Sequence, residues 1–148
     1  MNGTETITLA GLFAGVLDIT ATSTLFALQG LPLERLWQGI ASGALGPSVF
    51  KGGKRTATLG LIFHFLIALA VAAIYYAMSI KLPILIEKPI LYGTLYGIVV
   101  HVVMSRIVVP LSAAPKREFS PRAFITQLVI HIFFVGLPIA LTVTHFSR

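Results

Sequence analysis

A chain of 148 residues with 56% hydrophobic and only 11% charged residues is far poorer in charge than a soluble domain, where about 25% of residues are charged. Its formal charge of +6 would suit nucleic acid, but most of the basic residues flank long apolar stretches, where such charge sets membrane topology and attracts anionic lipid. The absence of cysteine excludes disulfides, thiolate metal sites and iron–sulfur clusters.

Four stretches, roughly 7–28, 58–78, 89–109 and 123–143, each reach the about 20 apolar residues that a bilayer-spanning helix needs. A buried soluble core would explain one of them, but a chain this short cannot wrap four. The flank of the first stretch, residues 1–6, carries Glu5 and no Lys or Arg. A signal peptide begins with a basic region, so this stretch reads as a retained helix. Pro32 then opens a shorter helix over about 32–45. Leu33, Leu36, Trp37, Ile40, Ala41 and Ala44 recur at helical spacing, with Glu34, Arg35 and Gln38 opposite, the pattern of an amphipathic helix lying in the membrane interface, with a shallow re-entrant segment as the rival reading. Gly46 and Pro47 end it, and 51–55 makes a basic turn that lacks the register of a phosphate loop. Pro89 opens the third span and Pro110 stops it. Residues 111–122 read as a polar loop, and Pro138 kinks or thins the fourth span. The fold class is all-α: an integral membrane four-helix bundle, one transmembrane domain over 1–148, with one amphipathic interfacial helix between the first and second spans.

An even number of crossings puts both termini on one side, with Glu5, Lys81, Glu87, Lys88, His145 and Arg148. The other side holds Arg35, Lys51, Lys54, Arg55, Lys116, Arg117 and Arg122, with Arg106 close to it. The positive-inside rule makes that second side cytoplasmic, so the expected location is a bacterial inner membrane with both termini periplasmic. Tyr75, Tyr76, Tyr92 and Tyr96 are expected in the outer aromatic belt and Trp37 at the inner one. Arg106 is expected to snorkel toward lipid phosphate or the loop at 117–122.

Each span carries one interior ionisable residue: Asp18, His64, His101 and His131. A polar group at that depth is costly, faces protein by default, and suggests a site. At about 1.5 Å of rise per residue the four lie about 10–15 Å from the cytoplasmic end of their spans. They therefore share one layer despite alternating helix directions. Gly11 and Gly15, and Gly93 and Gly97, mark faces of close helix approach. Gly15 turns Asp18 inward, and Gly97 does the same for His101. Gln127 and His131 share a face, as do His101 and Ser105 and Asp18 and Thr22.

Gly11, Ala14 and Gly15 in the first span, His64 in the second, Tyr96, Gly97, His101, Met104 and Pro110 in the third, and His131 in the fourth form a pattern that resembles the YagU-like family of small bacterial inner-membrane proteins. The resemblance implies a four-helix inner-membrane protein and supplies no reaction.

Three readings of the polar layer follow. Imidazoles are common ligands of zinc, copper, iron and haem, so His64, His101, His131 and Asp18 are the candidate ligands of a metal ion or haem. No helix carries an H-x-x-x-H or E-x-x-H pair, so every ligand must come from a different helix. Asp and His at this depth also suit a proton relay or small ion transporter. The third reading is a non-catalytic subunit or scaffold of a membrane complex, in which a structural Asp/His network neutralises the cost of its own burial. Its partners are the lipid bilayer and other membrane proteins or further copies of the chain. No Ser-His-Asp spacing, paired carboxylates or phosphate loop points to an enzyme.

Overall fold

The computed structural model describes residues 1–147; Arg148, counted above with the terminal charges, lies outside the described residues. Among those residues the chain is helical, with no strand. In order come α1 (Gly3–Leu28), α2 (Leu33–Leu45), a 3-10 turn (Pro47–Lys51), α3 (Gly53–Lys81), the short α4 (Ile84–Glu87), α5 (Pro89–Leu111) and α6 (Pro121–Ser147). Helices α1, α3, α5 and α6 are each long and apolar enough to cross a membrane, and the chain is a multi-pass membrane protein.

The spanning helices are longer than the apolar stretches because their ends are set by capping and by helix-tolerant charges. Helix α1 starts at Gly3, where the Asn2 side chain accepts from the Glu5 amide and the Glu5 carboxylate accepts from the Asn2 amide. This reciprocal pair satisfies two orphan amides of the first turn. Helix α3 takes in Lys54 and Arg55 at its start and Lys81 at its end.

The two interior prolines share a local setting: Pro110 ends α5 to within one residue, as expected, and each proline follows a π-helical segment. A proline removes an amide and crowds the carbonyl four residues earlier. In α5 that carbonyl belongs to Arg106, inside a π-helical segment at Met104–Val108. In α6 it belongs to Phe134, inside a second π segment at His131–Gly136. The wider turn takes up the crowding, so α5 continues past Pro110 to Leu111 and α6 runs unbroken through Pro138 to Ser147.

Helix α1 packs between α3 and α6, and α6 packs between α1 and α5. Small residues make the close seams. A Cβ on Gly11 would lie 2.8 Å from the Leu69 backbone, and one on Gly15 2.9 Å from the Phe65 ring. On the other seam a Cβ on Gly97 would lie 2.7 Å from the His131 carbonyl oxygen, while Gly136 lies against the backbone of Gly93 and Gly97. The core is built from Ala10, Ala14, Ala72, Tyr75, Val135 and Ile139, among others. Leu12, Phe13, Ile62, Leu66, Val99 and Phe133 face outward, as they must where lipid is the solvent.

Helix α2 spans the expected residues with a different buried face. Gln38, Ala41 and Ser42 are buried and Ala44 is exposed. Gln38, expected on the polar side, donates to the Gly53 carbonyl (3.1 Å) and to Thr56 Oγ1 (3.3 Å). The cause is packing against the start of α3, whose Gly60 lets the Trp37 backbone come into contact. The tyrosines also depart from a uniform belt. Tyr75 is fully buried and donates to the Leu85 carbonyl (3.1 Å), and Tyr96 donates to the Val71 carbonyl (2.7 Å). Their rings meet edge-on at 4.9 Å. A phenol this deep needs an acceptor for its hydroxyl, and backbone carbonyls of α3 and α4 supply it.

Candidate functional site: two polar pairs on two seams

The four ionisable residues expected in one layer fall into two pairs. Asp18 and His64 lie across the α1–α3 seam, with His64 Nδ1 3.9 Å from Asp18 Oδ2 and both side chains largely buried. His101 and His131 lie across the α5–α6 seam, their ring centroids 5.0 Å apart. Among the described residues no three His, Cys, Asp or Glu side chains group closely enough to hold a metal ion. The four-ligand arrangement is therefore not formed. Depth fixed only one coordinate of each residue. The order of helices around the bundle, α3–α1–α6–α5, separates the pairs.

On the first seam, His64 Nε2 lies 2.8 Å from the Gly15 carbonyl oxygen. A carbonyl only accepts, so Nε2 carries hydrogen and donates, which fixes the tautomer of the neutral ring. Nδ1 then faces the carboxylate. The second oxygen of Asp18, Oδ1, is buried without a hydrogen-bond partner among the described residues. The Phe65 ring meets His64 edge-on at 5.3 Å and also fills the space at Gly15.

On the second seam, His131 Nδ1 lies 2.7 Å from the Gln127 carbonyl oxygen one turn earlier, and the same logic makes Nδ1 the donor. The expected pairing of Gln127 with His131 thus runs through the Gln127 backbone. His101 is buried, at 4% exposure, and its Nε2 has no partner among the described residues. Ser105, one turn from His101, donates to the Val102 carbonyl instead (3.4 Å).

A stack of rings continues this seam toward the loop. Phe124 lies 4.5 Å from His101, and Phe119 lies 5.7 Å from Phe124. The Arg106 guanidinium sits over both phenyl rings, 4.5 Å from Phe119 and 5.1 Å from Phe124. Of the two expectations for Arg106, the loop at 117–122 is the one it meets, through a ring face. Sequence reasoning missed Phe119, Phe124 and Gly136, and placed Tyr96 in an aromatic belt rather than on the Val71 carbonyl. A phenylalanine, in a span or in a loop, carries no specific signal, but a glycine such as Gly136 in an apolar span marks a close helix approach and was readable.

The seam geometry bears on haem. Helices α5 and α6 touch backbone to backbone at Gly97, His131 and Ile132, which leaves no slot for a porphyrin between His101 and His131. A recess of about 530 Å³ lies elsewhere, between α1, α2 and α3, lined by residues including Ser23, Thr24, Leu33 and Trp37. Neither histidine pair lines it.

Comparison with protein-family models, with curated proteins and with solved structures finds no match.

Proposed function

We propose that this chain is a small non-catalytic subunit or scaffold of a bacterial inner-membrane complex, of the YagU-like kind, with both termini in the periplasm. The observation that carries the reading is how the buried polar side chains use their hydrogen bonds. His64, Tyr96 and Tyr75 each donate to a backbone carbonyl of another helix. These bonds hold helices at fixed spacing. A largely apolar outer face, with Leu12, Phe13, Ile62, Leu66, Val99 and Phe133 exposed, suits packing against other membrane helices as well as lipid.

The test is native mass spectrometry of the chain released from membranes in mild detergent. The expected result is an assembly of fixed stoichiometry with other membrane polypeptides or further copies. A lone chain at every detergent concentration would remove the subunit reading.

One observation favours a second reading, proton transfer. With Nε2 committed to Gly15, a single proton in the gap between His64 Nδ1 and Asp18 makes that contact attractive, whereas without it two lone pairs face each other. An Asp/His pair of this kind is the usual element of a membrane proton relay. Reconstituted liposomes decide it: proton flux that disappears in Asp18→Asn supports the relay, and equal permeability of protein-containing and empty liposomes removes it.

A further inference from the structure

We infer that His101, His131 and Met104 form a binding site for a monovalent soft metal ion, copper(I), inside the α5–α6 seam. The argument begins with the two nitrogens. His131 Nδ1–H is committed to the Gln127 carbonyl, so in the neutral ring Nε2 carries the free lone pair. This is the usual outer-shell arrangement of a metal-binding histidine, whose other ring nitrogen donates to a carbonyl. His101 supplies the second donor. It is more than nine-tenths buried, and its Nε2 has no partner among the described residues. An unpaired imidazole nitrogen at that depth is costly, and a bound ion satisfies it.

Ring spacing fits a bridging ion. In a three-donor site, metal–nitrogen bonds of about 2 Å put two ligand nitrogens about 3.5 Å apart, and the His101 and His131 ring centroids lie 5.0 Å apart. The third donor is a thioether. Met104 follows His101 by three residues and so shares its helical face. It is partly buried and packs against the core.

The donor set selects the ion. Two imidazoles and a thioether, with no carboxylate or thiolate among the described residues beside them, suit a soft d10 cation of low coordination number. Zinc, which is held by at least three thiolate, imidazole or carboxylate donors, finds only two here among the described residues. The single charge keeps the burial cost low, and the nearby Arg106 cation is engaged by the Phe119 and Phe124 rings.

The experiment uses the full chain in lipid nanodiscs, under anaerobic conditions, titrated with copper(I) against a chromophoric chelator. X-ray absorption at the copper edge is then recorded on the loaded sample. The expected result is one copper(I) per chain with two imidazole nitrogens and one sulfur as neighbours. Outer-shell changes at metal sites cost about 10–100-fold in affinity, so loss of a ligand in His101→Ala or His131→Ala should weaken binding by about 100-fold or more. Met104→Leu should remove the sulfur neighbour from the spectrum. His145→Ala, at the exposed far end of α6, should leave binding unchanged. The inference is overturned if the parent's spectrum lacks imidazole neighbours, a result that needs no variant to fold. It is equally overturned if copper(I) binds as tightly to the His101→Ala and His131→Ala chains, or if His145→Ala is the change that abolishes binding.

Discussion

His64 connects α3 to α1 twice, through the Gly15 carbonyl and the Asp18 carboxylate. Removing its ring breaks the hydrogen bond and leaves Asp18 without the imidazole that faces it. Interhelical hydrogen bonds in membranes contribute about 1 kcal/mol, and an unsatisfied buried group costs about 1–3 kcal/mol. His64→Ala should therefore lose roughly 1–3 kcal/mol of stability in detergent, measured by unfolding with increasing denaturing detergent. Tyr96→Phe removes one interhelical bond to a carbonyl inside the α3 ladder, so its loss should be smaller, about 1 kcal/mol. An equal loss in both would mean that Asp18 does not depend on His64. At this scale the sequence was a fair guide to which residues face inward and a poor guide to what they touch. Asp18 and His101 turn inward on the glycine-marked faces as expected. Nothing in the sequence said that Gly15 O would be the acceptor for His64, because backbone carbonyls carry no residue-specific signal.

The elements depend on close backbone contacts at particular glycines. A Cβ on Gly60 would collide with the Trp37 backbone, so Gly60→Ala should push α2 off the start of α3 at a cost of about 1–3 kcal/mol. Trp37, the lone tryptophan, reports the move directly: its fluorescence should shift as its Nε1–H loses Ser23 Oγ (3.3 Å). An unchanged spectrum and unchanged stability would contradict the contact. Proline-linked π segments give a second expectation. Pro138→Ala removes the crowding at Phe134, and the wide turn at His131–Gly136 should tighten to α-helix. That rotates the residues before it, and the contact between His101 and His131 should be lost while helix content is retained. Circular dichroism together with thiol crosslinking of cysteines at 101 and 131, with and without Pro138, checks this.

The four spanning helices were legible, because a lipid solvent forces long apolar runs, whereas the short α4 (Ile84–Glu87) was not, since the segment between the second and third spans read as a loop. Helix ends were not legible either. Lys54, Arg55 and Lys81 read as loop by polarity, yet they tolerate helical backbone and extend α3. Gln38 was read outward by the same polarity rule, and it is buried because Gly53 and Thr56 offer it partners.

Across the whole molecule, charge and packing follow separate rules. Charge asymmetry predicts orientation: reporter fusions that are active only in the periplasm should work when joined near Glu87, and those active only in the cytoplasm should work near Ala114. The reverse pattern would invert the proposed topology while leaving the bundle intact. Packing decides which polar residues meet. Rise per residue gave Asp18, His64, His101 and His131 a common expected depth, which is compatible with Asp18 meeting His64 and His101 meeting His131. The division of the four into two pairs was not legible, because depth says nothing of the order α3–α1–α6–α5. The glycine pairs were the nearest sequence clue: Gly11 and Gly15 commit the Asp18 face of α1 to one neighbour, and Gly93 and Gly97 commit the His101 face of α5 to another.

That division is the central structural claim, and the natural absence of cysteine makes it directly testable. Cysteine pairs replacing Asp18 and His64, His101 and His131, Asp18 and His131, or His64 and His101 would be treated in native membranes with a short bifunctional thiol reagent and scored for intramolecular crosslinks. The account predicts efficient crosslinking of the 18–64 and 101–131 pairs and none of the 18–131 and 64–101 pairs. Crosslinking of all four combinations with similar efficiency would contradict it and restore a single four-residue cluster.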